Sequence, residues 1–152
     1  MSTATVPPPG PAAAPAPAPD LLRTTLRIDS WSTAAFGVFL LAGAKWLSGP
    51  LGLPVAWAVP FGIAMLGGAA ALALIAGYPR IPARLAAAVV VGNTLSCAAL
   101  VVLPFTDVIP LTAAGTAFLL VGALVVAVFA EAEFVGYRRS TRYPASSMSM
   151  SR

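Results

Sequence analysis

No histidine occurs among the 152 residues, and the single cysteine, Cys97, lies inside an apolar run. The first absence removes the usual ligands for haem, copper and catalytic zinc and any histidine-assisted nucleophile. The second leaves no internal disulfide and carries no message about redox compartment. Charge is scarce as well: 9% of the residues are Asp, Glu, Lys or Arg, against about 25% in soluble domains. Lysine appears once, as Lys45, so eight of the nine basic residues are arginine. No phosphate-binding glycine loop, metal-ligand spacing or nucleophile set interrupts the apolar runs, so no cofactor is expected and the chain reads as non-enzymatic. The formal charge of +4 raises nucleic acid as a partner. Against it, the arginines flank apolar runs and form no basic face with interleaved aromatics, so no nucleic acid is expected.

What is abundant is apolar. Hydrophobic residues make up 59% of the chain and the mean hydropathy is +0.88. Four stretches, at about 31–47, 55–76, 85–103 and 111–130, are each close to the length that crosses a hydrocarbon core of roughly 30 Å. The expected fold is all-α: a polytopic membrane protein with four transmembrane helices in two hairpins, occupying residues 26–137, with the lipid bilayer as its surroundings. The first span is extended by residues from Leu26 onward, with Lys45 near its end able to snorkel. Pro60 falls within the first turns of the second, where a membrane helix tolerates it. Trp31, Lys45, Trp46, Tyr78 and Tyr137 stand where interfacial anchors belong.

The ends have another character. Residues 1–25 are Pro- and Ala-rich, with seven prolines in the first twenty positions and no charge before Asp20. Such a segment cannot bury a core, and disorder or polyproline II is expected. A signal peptide needs a basic segment ahead of an apolar one, and neither is there. Residues 138–152, basic and then Ser-rich, are likewise expected to be unstructured.

Orientation follows from basic residues near the span ends. Arg23, Arg27, Arg80, Arg84, Arg138, Arg139 and Arg142 fall on one side and only Lys45 on the other, which predicts that both termini are cytoplasmic. The arginine bias, with abundant Ala, Gly and Pro, points to a GC-rich bacterial genome and hence to the plasma (inner) membrane. Outer connectors at 48–54 and 104–110 leave no room for an external domain. Both hairpins end alike, in Gly77-Tyr78 before Arg80 and Gly136-Tyr137 before Arg138, as a duplicated hairpin does, although ordinary constraints on membrane hairpins produce the same look.

Helices in lipid associate by close backbone approach, which small residues four apart permit. Ala64 with Gly68, Gly67 with Ala71, Ala69 with Ala73 and Gly77, Ala88 with Gly92 and Ser96, and Ala113 with Ala117 have that spacing and are expected to pack.

Four polar residues are the candidates for function. Asn93 is the only amide in a span, near mid-depth, and burying it without a partner is costly. It is therefore expected to face the interior, with Ser96 and Cys97 on its face, either as an interhelical hydrogen bond or as the lining of a polar path. Asp29, Glu131 and Glu133 lie near the cytoplasmic ends of the first and fourth spans, close in depth to Arg27, Arg84 and Arg138, and ion pairing there is expected. The stripe Asp29, Thr33, Gly37 turns Asp29 inward. Glu131 and Glu133 stand about 200° apart on a helix, so at most one of them faces the bundle.

In size and span number the chain is similar to small four-helix multidrug exporters, but the glutamate that family requires in its first helix is missing here. The order Leu26, Arg27, Asp29 before the first span, Leu51-Gly52-Leu53-Pro54 in the outer turn, Gly92-Asn93 in the third span and an acidic residue closing the fourth resembles small actinobacterial four-helix integral membrane proteins of unassigned function. That likeness covers roughly residues 21–139. It implies the span count and importance for Asp29 and Asn93, with no activity attached. The expected role is an accessory or scaffold subunit, with a membrane-protein partner or as a homo-oligomer. A small transporter or channel using Asn93 and the carboxylates is the alternative.

Overall fold

A computed structural model of the chain describes residues 21–142, with side chains through Arg139. Four α-helices follow one another: α1 (Leu21–Leu51), α2 (Val55–Gly77), α3 (Ala83–Val102) and α4 (Ala113–Arg142), with a 3-10 turn (Leu103–Phe105) after α3. No strand occurs among the described residues. All four helices are long and apolar enough to cross a membrane. In α2 and α3 the apolar residues run around the whole circumference, which marks a helix surrounded by apolar material on every side. Leu74, Leu95 and Leu124 are each more than 60% exposed within the chain, a surface that water would not tolerate on this scale.

Helix bounds differ from the expected spans at both ends. The first helix begins at Leu21, so residues 21–25 belong to it and not to a disordered tail. The fourth continues to Arg142, well past position 130, taking residues 138–142 with it. Leucines explain the first difference: Leu22 and Leu26 are buried with Leu72, Ala76 and Ala86 in a cluster at the arginine-rich end, so packing selects helix there. The remaining tail expectations, for 1–20 and 143–152, lie outside the described residues.

Packing orders the helices α2, α1, α4, α3, with α2 and α3 making little contact. Neighbours run antiparallel. Along α1 and α2, Ser30 meets Ala69 and Gly37 meets Gly62; along α3 and α4, Cys97 meets Ala123. A Cβ on Gly37 or Gly62 would stand 3.0 Å from the other's carbonyl oxygen, so these two glycines are where the backbones come closest. Phe36 and Phe39 of α1 pack on Phe118 of α4, with ring centroids 5.4 and 6.4 Å away.

Most small-residue pairs expected to pack do not. Nothing lies within 4 Å of a Cβ placed on Gly67, Gly68, Gly77 or Gly92, and Ala64, Ala71, Ala73, Ala88, Ser96, Ala113 and Ala117 are exposed. Ala69 alone among them is buried. Spacing marks a smooth stripe on a helix; which side of the helix meets a neighbour depends on the neighbour.

The end away from the arginines is closed by its connectors. Gly52 has φ +63°, the left-handed conformation that ends a helix at little cost for glycine. Leu53 and Ile109 fill a cluster with Leu40, Ala44, Leu47 and Ala58. Thr112 caps α4, its Oγ1 accepting from the Gly115 amide at 3.1 Å, and the same hydroxyl donates to the Pro50 carbonyl at 2.7 Å. Gly115 lies against the Leu51 carbonyl, leaving no space there for a side chain.

Candidate functional site

The centre of the bundle toward the arginine-rich end is polar. Asp29 on α1, Asn93 on α3 and Glu133 on α4 meet there, three side chains from three helices. The Asn93 amide nitrogen donates to Asp29 Oδ2 at 3.0 Å and to Glu133 Oε2 at 2.8 Å. Thr33, one turn along α1, donates its hydroxyl to Asp29 Oδ1 at 2.9 Å. Asp29 is 4% exposed and Glu133 is 0% exposed. Helical spacing accounts for the α1 contribution, because residues four apart share a face and Gly37, next in the same stripe, is buried against Gly62. Since α1 and α3 are not packed neighbours, the Asn93 side chain reaches across the bundle to Asp29 and ties the two together.

Ion pairing is not what holds these carboxylates. Asp29 and Glu133 turn to the Asn93 amide, while Arg27 and Arg84 are exposed. The reason is geometric: Asp29 sits on the inward face of α1, whereas Arg27 and Arg84 face outward on their helices. Asn93 is midway along α3, yet its partners lie toward the arginine-rich ends of the longer α1 and α4, so the site is displaced from mid-depth toward that end.

Glu131 is exposed, beside an outward groove between α3 and α4 that Val90, Thr94, Ala98 and Phe134 also line. Glu133, two residues on, is the one that faces the bundle. Ser96, expected beside Asn93, is exposed, and Cys97 donates its thiol to the Ala123 carbonyl at 3.4 Å. Lys45 and Trp46 are exposed near the end of α1 and Tyr78 just past the end of α2, whereas Trp31, also exposed, stands ten residues inside α1 and not at its end, because the helix begins at Leu21; Tyr137 packs half-buried on the leucine cluster. Arg80 and Arg139 are exposed as well, and the Arg138 guanidinium lies 5.5 Å over the Phe134 ring.

Two contacts were not foreseen. Ser30 is buried and donates its hydroxyl to the Ala69 carbonyl at 2.9 Å, a side chain from α1 bonded to the backbone of α2. Its position next to Asp29 is the signal that could have found it. Arg23 donates to the Ala76 and Pro79 carbonyls at 2.7 and 3.1 Å, satisfying oxygens that a helix C-terminus leaves open. No group of three or more His, Cys, Asp or Glu side chains that could hold a metal occurs among the described residues.

Compared with known protein families, with curated proteins and with solved structures, the chain matches none. Any functional reading therefore rests on the bundle and on the cluster of Asp29, Asn93 and Glu133.

Proposed function

We propose that the chain is a non-enzymatic integral protein of a bacterial plasma membrane, built as two helical hairpins with both termini cytoplasmic, and that it works as an accessory or scaffold subunit or as a homo-oligomer. The observation that carries this reading is the open side of the bundle. The α2 and α3 helices make little contact with each other, and Gly67, Gly68 and Gly92 have open space over them. Surfaces of that kind allow the close approach on which helix association in lipid depends. The likeness to small actinobacterial four-helix membrane proteins belongs with this reading and brings no activity to it. Recovery of the tagged protein in mild detergent is expected to yield a stoichiometric partner or a defined homo-oligomer. A lone monomer, with no cross-linked species in native membranes, defeats the proposal.

A second reading, a small transporter or channel, is favoured by one feature: two carboxylates and an amide gathered inside a largely apolar bundle. Ionisable groups inside membrane helices commonly mark ion or substrate paths. It expects flux in proteoliposomes that disappears in Asn93→Leu and in Asp29→Asn. Undiminished flux in both variants removes these residues from any path.

A further inference from the structure

Hydrogen-bond donors around the two carboxyl groups are distributed unequally. Asp29 accepts at both oxygens, from Thr33 at Oδ1 and from Asn93 at Oδ2. Glu133 accepts at Oε2 from Asn93, while its Oε1 is buried with no hydrogen-bond partner. The amide of Asn93 has two N–H bonds, and both are spent on the two acids. Asp29 Oδ2 and Glu133 Oε2 converge on that one nitrogen, and two bare carboxylates, acceptors only, cannot bond each other.

The other charged or titratable groups on the packed helices are directed elsewhere. On α1, Arg27 is exposed and Arg23 donates to the backbone at the end of α2. The α2 helix brings no titratable side chain, only the Ala69 carbonyl that Ser30 occupies. On α3, Arg84 is exposed and the Cys97 thiol is bonded to the Ala123 carbonyl. On α4, Glu131 is exposed, Tyr137 packs with the leucine cluster and Arg138 lies over Phe134. Two full negative charges sharing one donor nitrogen away from water do not persist together. The cluster is complete when a single proton joins it.

We propose that Asp29, Asn93 and Glu133 form a binding site for one proton, carried on Oε1 of Glu133. The proton comes from water and adds to a carboxylate oxygen, with no bond broken in the protein. Once there, it removes one of the two negative charges from the cluster and turns the unpartnered oxygen of Glu133 into a donor. Both oxygens of Asp29 already accept hydrogen bonds, from Thr33 and Asn93, whereas Oε1 of Glu133 has no partner, which assigns the proton to Glu133 and not to its neighbour. The inference is independent of the proposed role, since a bundle that binds no partner and carries no flux still holds this proton.

Infrared spectroscopy of the full-length protein in lipid nanodiscs tests it. At neutral pH the expected result is one C=O stretching band of a protonated carboxylic acid. That band shifts when glutamate carries a carbon-13 carboxyl, stays in place when aspartate does, and is indifferent to sodium. Isotope labelling uses the wild-type protein, so this arm does not depend on a variant folding. Glu133→Gln, which keeps an acceptor for Asn93, is expected to lose the band, and Glu131→Gln to keep it. Absence of the band in the wild type at neutral pH overturns the proposal, as does a band that follows labelled aspartate. Loss of the band on adding sodium at constant pH also overturns it and assigns the site to a monovalent cation.

Discussion

Asn93 is the residue on which the interior depends, because one nitrogen serves two acids on two other helices. A neutral interhelical hydrogen bond in a membrane bundle is worth about 0.6–2 kcal/mol, but a buried charged acceptor stripped of its donor costs more. Asn93→Leu preserves bulk and removes both donors, so it is expected to destabilise the bundle by about 3 kcal/mol, read as a lower thermal midpoint in detergent. Thr33→Val removes only the bond to Asp29 Oδ1 and should cost about 1 kcal/mol. Equal losses in the two variants would deny Asn93 its central place. That Asn93 and Asp29 face inward was legible in the sequence, from the cost of burying an amide and from the stripe with Thr33 and Gly37. The choice between Glu131 and Glu133 was not, since either face of α4 carries small residues and only the position of α3 selects one.

Among the elements, α1 is the one every other helix uses. It packs on α2 and α4 along its length and meets α3 through Asn93. Its contact with α2 is closest at Gly37 and Gly62, where an added methyl on Gly62 meets the Leu41 side chain at 2.6 Å and the Gly37 carbonyl at 3.0 Å. Gly62→Ala is therefore expected to cost about 1–3 kcal/mol through overpacking. Gly68→Ala on the same helix meets nothing within 4 Å and should leave the thermal midpoint of the protomer unchanged. The paired measurement separates glycines that allow close approach from those that only share the spacing. At the other end of the same pair, Arg23→Ala frees two carbonyls of the α2 terminus. In this partly exposed setting the cost should be about 1 kcal/mol, seen as faster amide exchange around 76–79.

Over the whole molecule, the proposed topology turns on seven arginines near the span ends on one side, set against Lys45 on the other. Reporter fusions are expected to place both ends of the chain in the cytoplasm, and the protein should stay in the membrane pellet through alkaline carbonate extraction. Ends on opposite faces, or release by carbonate, would refute a fourfold crossing. The end away from the arginines is tied by short connectors through Thr112, Pro50 and Gly52, while the arginine-rich end carries the leucine cluster and, just inside it, the acid pair. Rigid closure at one end and buried polarity toward the other is the asymmetry that both functional readings have to accommodate.

Composition and hydropathy alone determined that the described chain is helical and that four of its helices are long enough to cross a bilayer, because one solvent acts on every position of an apolar run. The same run is blind to its neighbours. Which glycines touch, where α1 and α4 end, and that two acids share an asparagine instead of pairing with arginines were decided by the order in which the helices pack. The glycines that touch are 25 positions apart and the residues that share the asparagine lie 40 and 64 from it, and no local pattern reports contacts at that range.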